Sequence, residues 1–355
     1  MYTSPIIVAE IDAAQKAWGD ALVKISDLYL AEGIDAAKSF AQQVLDTAYA
    51  YNIGLTVSFK PTLAGGDQTF RPTNEGALSY FVGHNPKYPN DTGFALKEWA
   101  EVVSIRSGVL VDAGGRFAIS MGNFFFKNRK NEITKVDKTF AYYKDHEGIL
   151  RIILHHSSLP YVPNPSEATP LVFPPSQPKA HHEVQGLMPT TVNPLPISLA
   201  EIEAAQKAWG DALVQISSTY YSQGIDAAKA LAQKVLDAAY GYILGIDVLF
   251  KPTLTSGDQV FRMTNEGALS YFVGENASYP NDKGFAIKPW VNVTYERSSV
   301  FMHPYGGIAL CMANFYFEST DGSITKVDKT FGYTKGKDGH MRIFVHHSSL
   351  PYATK

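Results

Sequence analysis

The sequence predicts an α+β fold that occurs twice in one chain of 355 residues. Three observations predict it. A long segment is repeated in tandem, each repeat begins with apolar residues at helical spacing, and each repeat continues with short β-rich runs between glycine-containing turns. Helices followed by an antiparallel meander are typical of a domain in which helices pack on one face of a curved antiparallel sheet.

The repeat is visible as identical runs at one constant offset. AAQKAWGDAL begins at Ala13 and again at Ala204, and the same offset separates the two copies of FKPTL, TNEGALSYFVG, TKVDKTF and HHSSLPY. We therefore predict a first domain over residues 1–161 and a second over residues 198–355. The segment 162–197 between them is rich in proline, which fixes φ and removes backbone donors, so we predict an extended linker. Its histidines, His181 and His182, are expected to be solvated.

Within the first repeat, the order of elements follows from spacing and breakers. Residues 9–30 form the first predicted helix, because the apolar residues Ile11, Trp18, Leu22 and Ile25 recur at helical spacing. Gly33 ends it, and IDAAKSFAQQVLDTAYAY opens the second helix. Ser198 and Glu201 form a capping-box pattern in the second repeat, which Ile7 interrupts in the first. After Gly54 the predicted strands lie in LTVSFKPTL, VVSIRSGVLVDAG, GRFAISMGNFFFKN, EITKVDKTFAYYKD and ILRIILHHSS.

Composition excludes several classes of protein. Hydrophobic residues make up 45%, charged residues 18% and the net charge is −3, which indicates a globular protein without a nucleic-acid or membrane partner. No stretch is long and apolar enough to span a bilayer. The N-terminus has no signal-peptide pattern, and we expect a targeting segment to lie outside this chain. The one cysteine, Cys311, is predicted to be a buried apolar residue, and Ser120 occupies its position in the first repeat.

The HHSS run at the end of the last predicted strand is the densest group of polar side chains. Alternation puts His155 with Ser157 on one face of the strand and His156 with Ser158 on the other. His156 and Ser158 continue the apolar side of Leu150, Ile152 and Leu154, as His347 and Ser349 do in the second repeat. We therefore predict that these two pairs point into the domain, although a bulge near the strand end would reverse the faces. The alternative is that they only bond carbonyls at the strand end.

Other candidates lie in shorter motifs. Pro61 and Pro252 place the FKPTL runs at a sheet edge, where Thr62 and Thr253 can face the interior or only bond their own backbone. Tyr80 and Tyr271 lie in apolar runs, as buried or functional phenols. Two further pairs are predicted to be turn and surface residues, namely Asp67 with Arg71 and Asp258 with Arg262. Asp137 and Lys138 are predicted on a solvated or interface face of the sheet, with Asp137 a possible partner for a histidine.

Several kinds of site are missing from the sequence. No third histidine, cysteine pair or carboxylate lies at ligand spacing near HHSS, and adjacent histidines on a strand face opposite ways, so we predict no metal site. A phosphate-binding glycine loop, a GxSxG elbow and a nucleophilic cysteine present in both repeats are also absent. We predict no cofactor.

With FKPT, the LSYF tyrosine, TKVDKTF and HHSSLP in place, the sequence resembles the iota-class carbonic anhydrases of algae and cyanobacteria over both repeats. The resemblance implies the cone-shaped NTF2-like or SnoaL-like fold, a plastid protein, and reversible hydration of CO2 to bicarbonate. Some members were described with manganese and others without metal, and the missing ligand set favours the metal-free type. The implied residues are a threonine, a tyrosine and one His–Ser pair per repeat, taken from Thr62, Tyr80, His155, His156, Ser157, Ser158, Thr253, Tyr271, His346, His347, Ser348 and Ser349.

The chemistry can also be derived without the family. CO2 hydration needs an apolar cavity, an oriented water and donors for the charge that develops on oxygen, while a histidine takes or relays the proton. Without a metal we expect a slower enzyme. One alternative is a non-catalytic module that binds a small anion or organic acid, or that oligomerises; another is an isomerase, although no acidic residue stands out as its base. We expect each domain to be active alone, and domains or copies to pair through sheet faces.

Overall fold

The computed structural model describes residues 4–163, 170–175, 184–187, 195–336 and 338–353. The chain divides into two units, Met1–Leu187 together with Pro351–Lys355, and Met188–Leu350. His181 and His182 lie outside the described residues, and the bounds of the linker stay a prediction. No helix of the described residues has the length and apolar character needed to cross a membrane.

The described residues of the first unit form three α-helices and a six-stranded sheet, with short 3-10 turns between them. Its elements are α1 Val8–Glu32, α2 Ile34–Ala48, β1 Ser58–Lys60, α3 Asn74–Val82, β2 Trp99–Val111, β3 Phe117–Asn128, β4 Ile133–Lys144, β5 Leu150–Ser158 and β6 Val184–Leu187. The sheet order is β1-β5-β4-β3-β2-β6. Strands β2 to β5 form an antiparallel meander, and the short edge strands β1 and β6 run parallel to their neighbours.

The second unit repeats this order. Its elements are α4 Leu199–Gln223, α5 Ile225–Ala239, β7 Leu249–Lys251, α6 Asn265–Val273, β8 Trp290–Met302, β9 Ile308–Ser319, β10 Ile324–Lys335 and β11 Met341–Ser349. The sheet order is β7-β11-β10-β9-β8, with β7 parallel to β11 and the other pairs antiparallel. The predicted α+β fold, built twice with helices against an antiparallel meander, is confirmed.

The predicted apolar side of the first helix is the side that packs on the sheet. Ile11, Trp18, Leu22 and Ile25 are all buried on α1. At the start of α4, Ser198 and Glu201 form the predicted capping box, with the Ser198 hydroxyl accepting from the Glu201 amide at 3.3 Å. In α1, Ile7 has no side-chain acceptor, but the Glu10 carboxylate still accepts from the Ile7 amide at 2.9 Å. Half of the box therefore survives in the first unit.

Helix α3 is an element that the sequence analysis did not predict. Its N-cap is Thr73, whose hydroxyl accepts from the Gly76 amide at 3.1 Å. Thr264 caps α6 in the same way. The apolar run after each threonine is short enough to be either strand or helix by periodicity, so the cap is the signal that distinguishes them.

Arg71 and Arg262 were predicted to be surface residues, and this prediction is wrong. Arg71 is 2% exposed and pairs with the equally buried Asp91 at 2.8 Å, and Arg262 pairs with Asp282 at 2.9 Å. The partners are 20 residues away along the chain, so local turn patterns do not reveal them. Asp67 and Asp258 are exposed, as predicted.

Candidate active site

The FKPT and HHSS motifs meet at one edge of each sheet. Strand β1 pairs parallel with β5, which places Phe59 opposite His155. The proline after β1 turns the chain away from the edge, as predicted, and Thr62 then reaches back over β5. The Thr62 Oγ1 and Ser157 Oγ atoms lie 2.6 Å apart, and Thr253 and Ser348 repeat this distance of 2.6 Å in the second unit. Two hydroxyls from distant motifs thus form one buried pair.

His155 and Ser157, and not His156 and Ser158, belong to this interior site. The prediction of the inward pair is wrong because β5 contains a bulge. Ala141 pairs with Leu154 but Tyr142 pairs with Ile152, so Ile153 is an extra residue on β5. One extra residue exchanges the faces of everything beyond it.

The same bulge is present in the second unit. Gly332 pairs with Val345 and Tyr333 pairs with Ile343, which leaves Phe344 as the extra residue. His346 and Ser348 are therefore the inward pair there. His347 and Ser349 share the other face of β11, as do His156 and Ser158 on β5, and all four side chains are buried.

His155 is enclosed by aromatic rings. It stacks on Phe59 at 4.6 Å, lies 4.3 Å from Phe140, and meets the edge of Trp18 at 5.4 Å, all between ring centroids. The side chain is 1% exposed. Because burial disfavours a charged imidazole, the pKa of His155 lies well below its usual range. The imidazole is therefore neutral at pH 7.

Both ring nitrogens of His155 are already engaged. Its Nδ1 lies 3.0 Å from the Tyr49 hydroxyl, which in turn accepts from the Trp18 indole N–H at 3.0 Å. Its Nε2 lies 2.7 Å from the Lys138 amine. A histidine was predicted to take the proton, but His155 has no ring nitrogen free to face a substrate.

Lys138 is a site residue that the sequence analysis placed wrongly. It was predicted on a solvated or interface face, yet it is 2% exposed and its Nζ lies 4.3 Å above the Trp18 ring. Lys138 shares the interior face of β4 with Phe140, two residues on. That period-2 relation to an aromatic run was the signal that could have found it.

Asp137 lies on the opposite face of β4 from Lys138. It accepts from the Asn123 side chain of β3 at 2.6 Å. Ser158 is its register partner on β5, whereas His155 is paired with Phe140. Asp137 therefore does not orient the interior histidine.

Tyr80 is brought to the hydroxyl pair by helix α3. Its ring packs edge-on against Phe59 at 5.7 Å and stacks on Phe94 at 5.5 Å. Burial raises the pKa of Tyr80, with the Thr62 hydroxyl opposing the shift, so the phenol keeps its proton. Its Oη is buried and has no hydrogen-bond partner of good geometry among the described residues, and the same holds for Tyr271. Each site thus contains a phenol whose donor is available to a ligand.

The described residues contain neither a cluster of metal ligands nor an exposed thiol. Across the described residues, no group of three or more His, Cys, Asp or Glu side chains could hold a metal ion. Cys311 is 1% exposed, as predicted, and burial raises the pKa of its thiol to about 12. Its Sγ accepts from Gln206 at 3.2 Å, where Ser120 accepts from Gln15 at 2.6 Å in the first unit.

Comparison with known proteins settles the family. A profile described as metal-independent carbonic anhydrase matches residues 9–159 and again residues 200–350. The chain belongs to the metal-independent carbonic anhydrase family. The resemblance stated from the sequence motifs and the predicted enzyme class, carbonic anhydrase, are thereby confirmed.

Three known proteins to which this chain is similar each cover less than half of it. A metal-independent carbonic anhydrase from Nostoc sp. is 49% identical over 156 residues, which is 44% of this chain and 75% of the relative. A solved cyanobacterial iota-carbonic anhydrase, complexed with bicarbonate, is 46% identical with a TM-score of 0.44, covering 47% of this chain and 99% of that one. An NTF2-like superfamily protein from Salmonella enterica is 14% identical, with a TM-score of 0.25, over 43% of this chain and 96% of its own.

Proposed function

We propose that each unit catalyses the reversible hydration of CO2 without a metal, at the site formed by Thr62, Tyr80 and Ser157 and by Thr253, Tyr271 and Ser348. The observation that carries the proposal is the buried hydroxyl pair beside a phenol with an available donor, present in both units. Family membership supports the reaction. The roles of the individual residues are inferred from the geometry.

The hydroxyl pair is suited to hold the attacking water. A hydroxyl offers one donor and two acceptor positions, and the Thr62–Ser157 bond uses only one hydrogen of the two. The remaining hydrogen and lone pairs can orient a water in the site. Holding the water against CO2 replaces a bimolecular encounter by a positioned one.

The Tyr80 phenol is suited to stabilise the charge that develops on a CO2 oxygen. Its hydroxyl is neutral and buried, lies beside the Thr62 hydroxyl, and has no acceptor of good geometry among the described residues, so it can donate to that oxygen with little reorganisation. The surrounding rings of Phe59 and Phe94 exclude water and strengthen the interaction. The same rings offer apolar contacts to a CO2 molecule bound beside the phenol.

The test is CO2 hydration by the chelator-treated full chain in a stopped-flow pH-indicator assay. Tyr80→Phe with Tyr271→Phe keeps the rings and removes the hydroxyls, and we expect kcat/KM to fall about 100-fold. Tyr51→Phe with Tyr242→Phe is the matched control, because those hydroxyls donate to the Arg71 and Arg262 carbonyls instead. If the wild-type chain binds bicarbonate but hydrates no CO2, it is the non-catalytic anion-binding module.

Location and oligomeric state are also part of the proposed function. The plastid location rests on the resemblance to the algal tandem-domain proteins, and imaging a fluorescent fusion of the complete coding sequence in an algal cell tests it. Pairing through sheet faces also stays a prediction, which sedimentation of the purified chain tests.

A further inference from the structure

Lys138 and Lys329 are buried amines that the proposed function does not yet use. Both are 2% exposed, and neither forms an ion pair within the part of the chain that the structure describes. An unpaired buried ammonium is costly, and lysines in such surroundings release their proton readily. The contacts around each amine show which form it takes.

A chain of hydrogen bonds defines the form of Lys138 in the resting site. An indole N–H can only donate, so Trp18 donates to the Tyr49 oxygen. Tyr49 then uses its own hydrogen toward Nδ1 of His155, at 3.0 Å. Nε2 of this neutral imidazole carries the ring hydrogen and donates to Lys138 Nζ, 2.7 Å away.

Only a neutral amine can accept that hydrogen, because an ammonium has no lone pair. The reverse orientation would leave the hydroxyl hydrogen of Tyr49, which is 1% exposed, without an acceptor among the described residues. In the second unit the corresponding distances along Trp209, Tyr240, His346 and Lys329 are 3.0, 2.9 and 3.0 Å. The same chain therefore exists twice.

The surroundings also accommodate the protonated form. Lys138 Nζ lies 4.3 Å from the ring centre of Trp18 and 5.4 Å from that of Phe140, and aromatic faces stabilise an ammonium. Burial lowers the pKa of both lysines, and the positive charge of Lys251 adds to this for Lys329. The other charged group lining the space near Lys138 is Arg106 of β2, which pairs with Asp12.

The amine is connected to the hydroxyl pair. Lys329 Nζ lies 3.0 Å from Ser348 Oγ, which lies 2.6 Å from Thr253 Oγ1. In the second unit the Lys329 amine is thus in hydrogen-bond contact with the hydroxyl of the serine that would hold the water, while the buried Lys251 amine donates to the backbone carbonyl of the same serine at 3.1 Å. In the first unit Lys138 has the corresponding position on β4, beside His155.

We propose that Lys138 and Lys329 accept the proton of the hydration step, each through the hydroxyl of its inward serine. As the water oxygen bonds to the CO2 carbon, one water O–H bond breaks and Ser157 takes that proton. The amine gives up the hydrogen bond from His155 Nε2–H, and its freed lone pair takes the proton that Ser157 releases. The products are bicarbonate and an ammonium, so the buried site stays neutral overall. Protonation breaks the His155–Lys138 hydrogen bond, which favours release of the proton. His155 is then a positioning residue. This inference rests on the proposed function.

The direct test is nitrogen NMR of the full chain labelled at lysine Nζ, with the two signals assigned through Lys138→Met and Lys329→Met. At pH 8 we expect two neutral-amine signals that convert to ammonium when bicarbonate in equilibrium with CO2 fills the sites. Ammonium signals in the ligand-free chain would overturn the proposal, and so would amines that stay neutral with bicarbonate bound.

The kinetic test separates a base from a fixed positive charge. Arginine keeps a charge but cannot release a proton, and methionine has no amine. We therefore expect hydration kcat/KM to fall by about 10²–10⁴-fold in both double variants, Lys138→Arg with Lys329→Arg and Lys138→Met with Lys329→Met. Wild-type kcat/KM should rise with pH as the amines lose their protons, and this rise should be absent from both variants. Lys135→Met with Lys326→Met is the matched control on the same strands and should leave both unchanged. Activity retained in the arginine variant would show that a cation, not a base, is needed.

The two hypotheses fail in different ways. A wild-type chain without CO2 hydration contradicts the proposed function. Suppose instead that the wild-type chain is active. Ammonium signals in its resting state, or full activity of the arginine variant, would then contradict only the role of the lysines.

Discussion

Ser157 and Ser158 are neighbours in the sequence with side chains on opposite faces of β5, which makes them a matched pair for testing the site. Ser157→Ala with Ser348→Ala should lower kcat/KM for CO2 hydration by about 10²–10³-fold, because one of the two hydroxyls that orient the water is lost. Stopped-flow assays measure it.

The control is Ser158→Ala with Ser349→Ala, which removes the same atoms from the other face. We expect its kcat/KM to stay within a few-fold of wild type, provided circular dichroism shows the fold intact. An equal loss in both variants would mean that the face assignment does not matter for activity.

The buried lysines also predict how stability depends on pH. A lysine whose folded pKa is depressed binds its proton in the unfolded chain but not in the folded one, so stability rises with pH from the folded pKa up to the unfolded value of about 10.4. Relative to Lys138→Met with Lys329→Met, wild type should gain about 1.4 kcal/mol per pH unit for each lysine in this window.

Urea unfolding of both proteins at several pH values between 7 and 10 measures this difference. A wild-type curve parallel to that of the variant across the window would mean that the lysines are protonated in the folded chain.

Helix α3 couples a cap to the position of a site residue. Thr73→Ala removes the acceptor for the Gly76 amide and should cost about 1 kcal/mol of stability. Because Tyr80 lies in the same nine-residue helix, kcat of the first unit should fall too. This kcat is best measured in a chain whose second site is inactivated by Ser348→Ala. Thr73→Ser keeps the cap oxygen and should restore both, and a serine variant as impaired as the alanine one would reject the capping argument.

Elements with strong periodicity could be predicted from the sequence, while those that depend on a single residue could not. Helices α1 and α2 and the four long strands of the first unit follow from spacing and glycine breaks. The edge position of β1 follows from Pro61, which has no amide hydrogen for a central strand. The inward His–Ser pair was missed because the bulge at Ile153 shifts the alternation by one residue, and nothing in ILRIIL marks that residue as the extra one.

At the scale of the molecule, both units carry a complete set of the proposed residues. Each site should therefore act independently, because the effects of substitutions at sites without shared partners are additive. If the two sites are equal, Ser157→Ala alone and Ser348→Ala alone should each leave about half of the wild-type activity. Hydration rates of the two single variants and the double variant check this. Near-complete loss in either single variant would indicate that the sites depend on each other.

The sequence motifs predict which residues line the site better than they predict the contacts between them. Thr62, Tyr80 and the HHSS run could be named as candidates because they are polar residues in apolar runs that occur in both repeats, and their catalytic roles stay a prediction. The burial of Lys138 was missed because a charged side chain on a strand is usually solvated. The contacts of the histidine with Tyr49 and Trp18 were missed because they join distant parts of the chain; Tyr49 and His155, for example, are 106 residues apart. Long-range contacts of this kind need the fold.

The measurement that tests the central claim most directly is oxygen-18 exchange between labelled CO2 and water, followed by mass spectrometry at chemical equilibrium. The chelator-treated wild-type chain should accelerate the exchange, and the chain carrying Thr62→Val with Thr253→Val, which removes one hydroxyl of each pair while keeping the shape, should lose most of that acceleration. Exchange by the threonine variant at the wild-type rate, or no exchange by the chelator-treated wild type, would contradict the account.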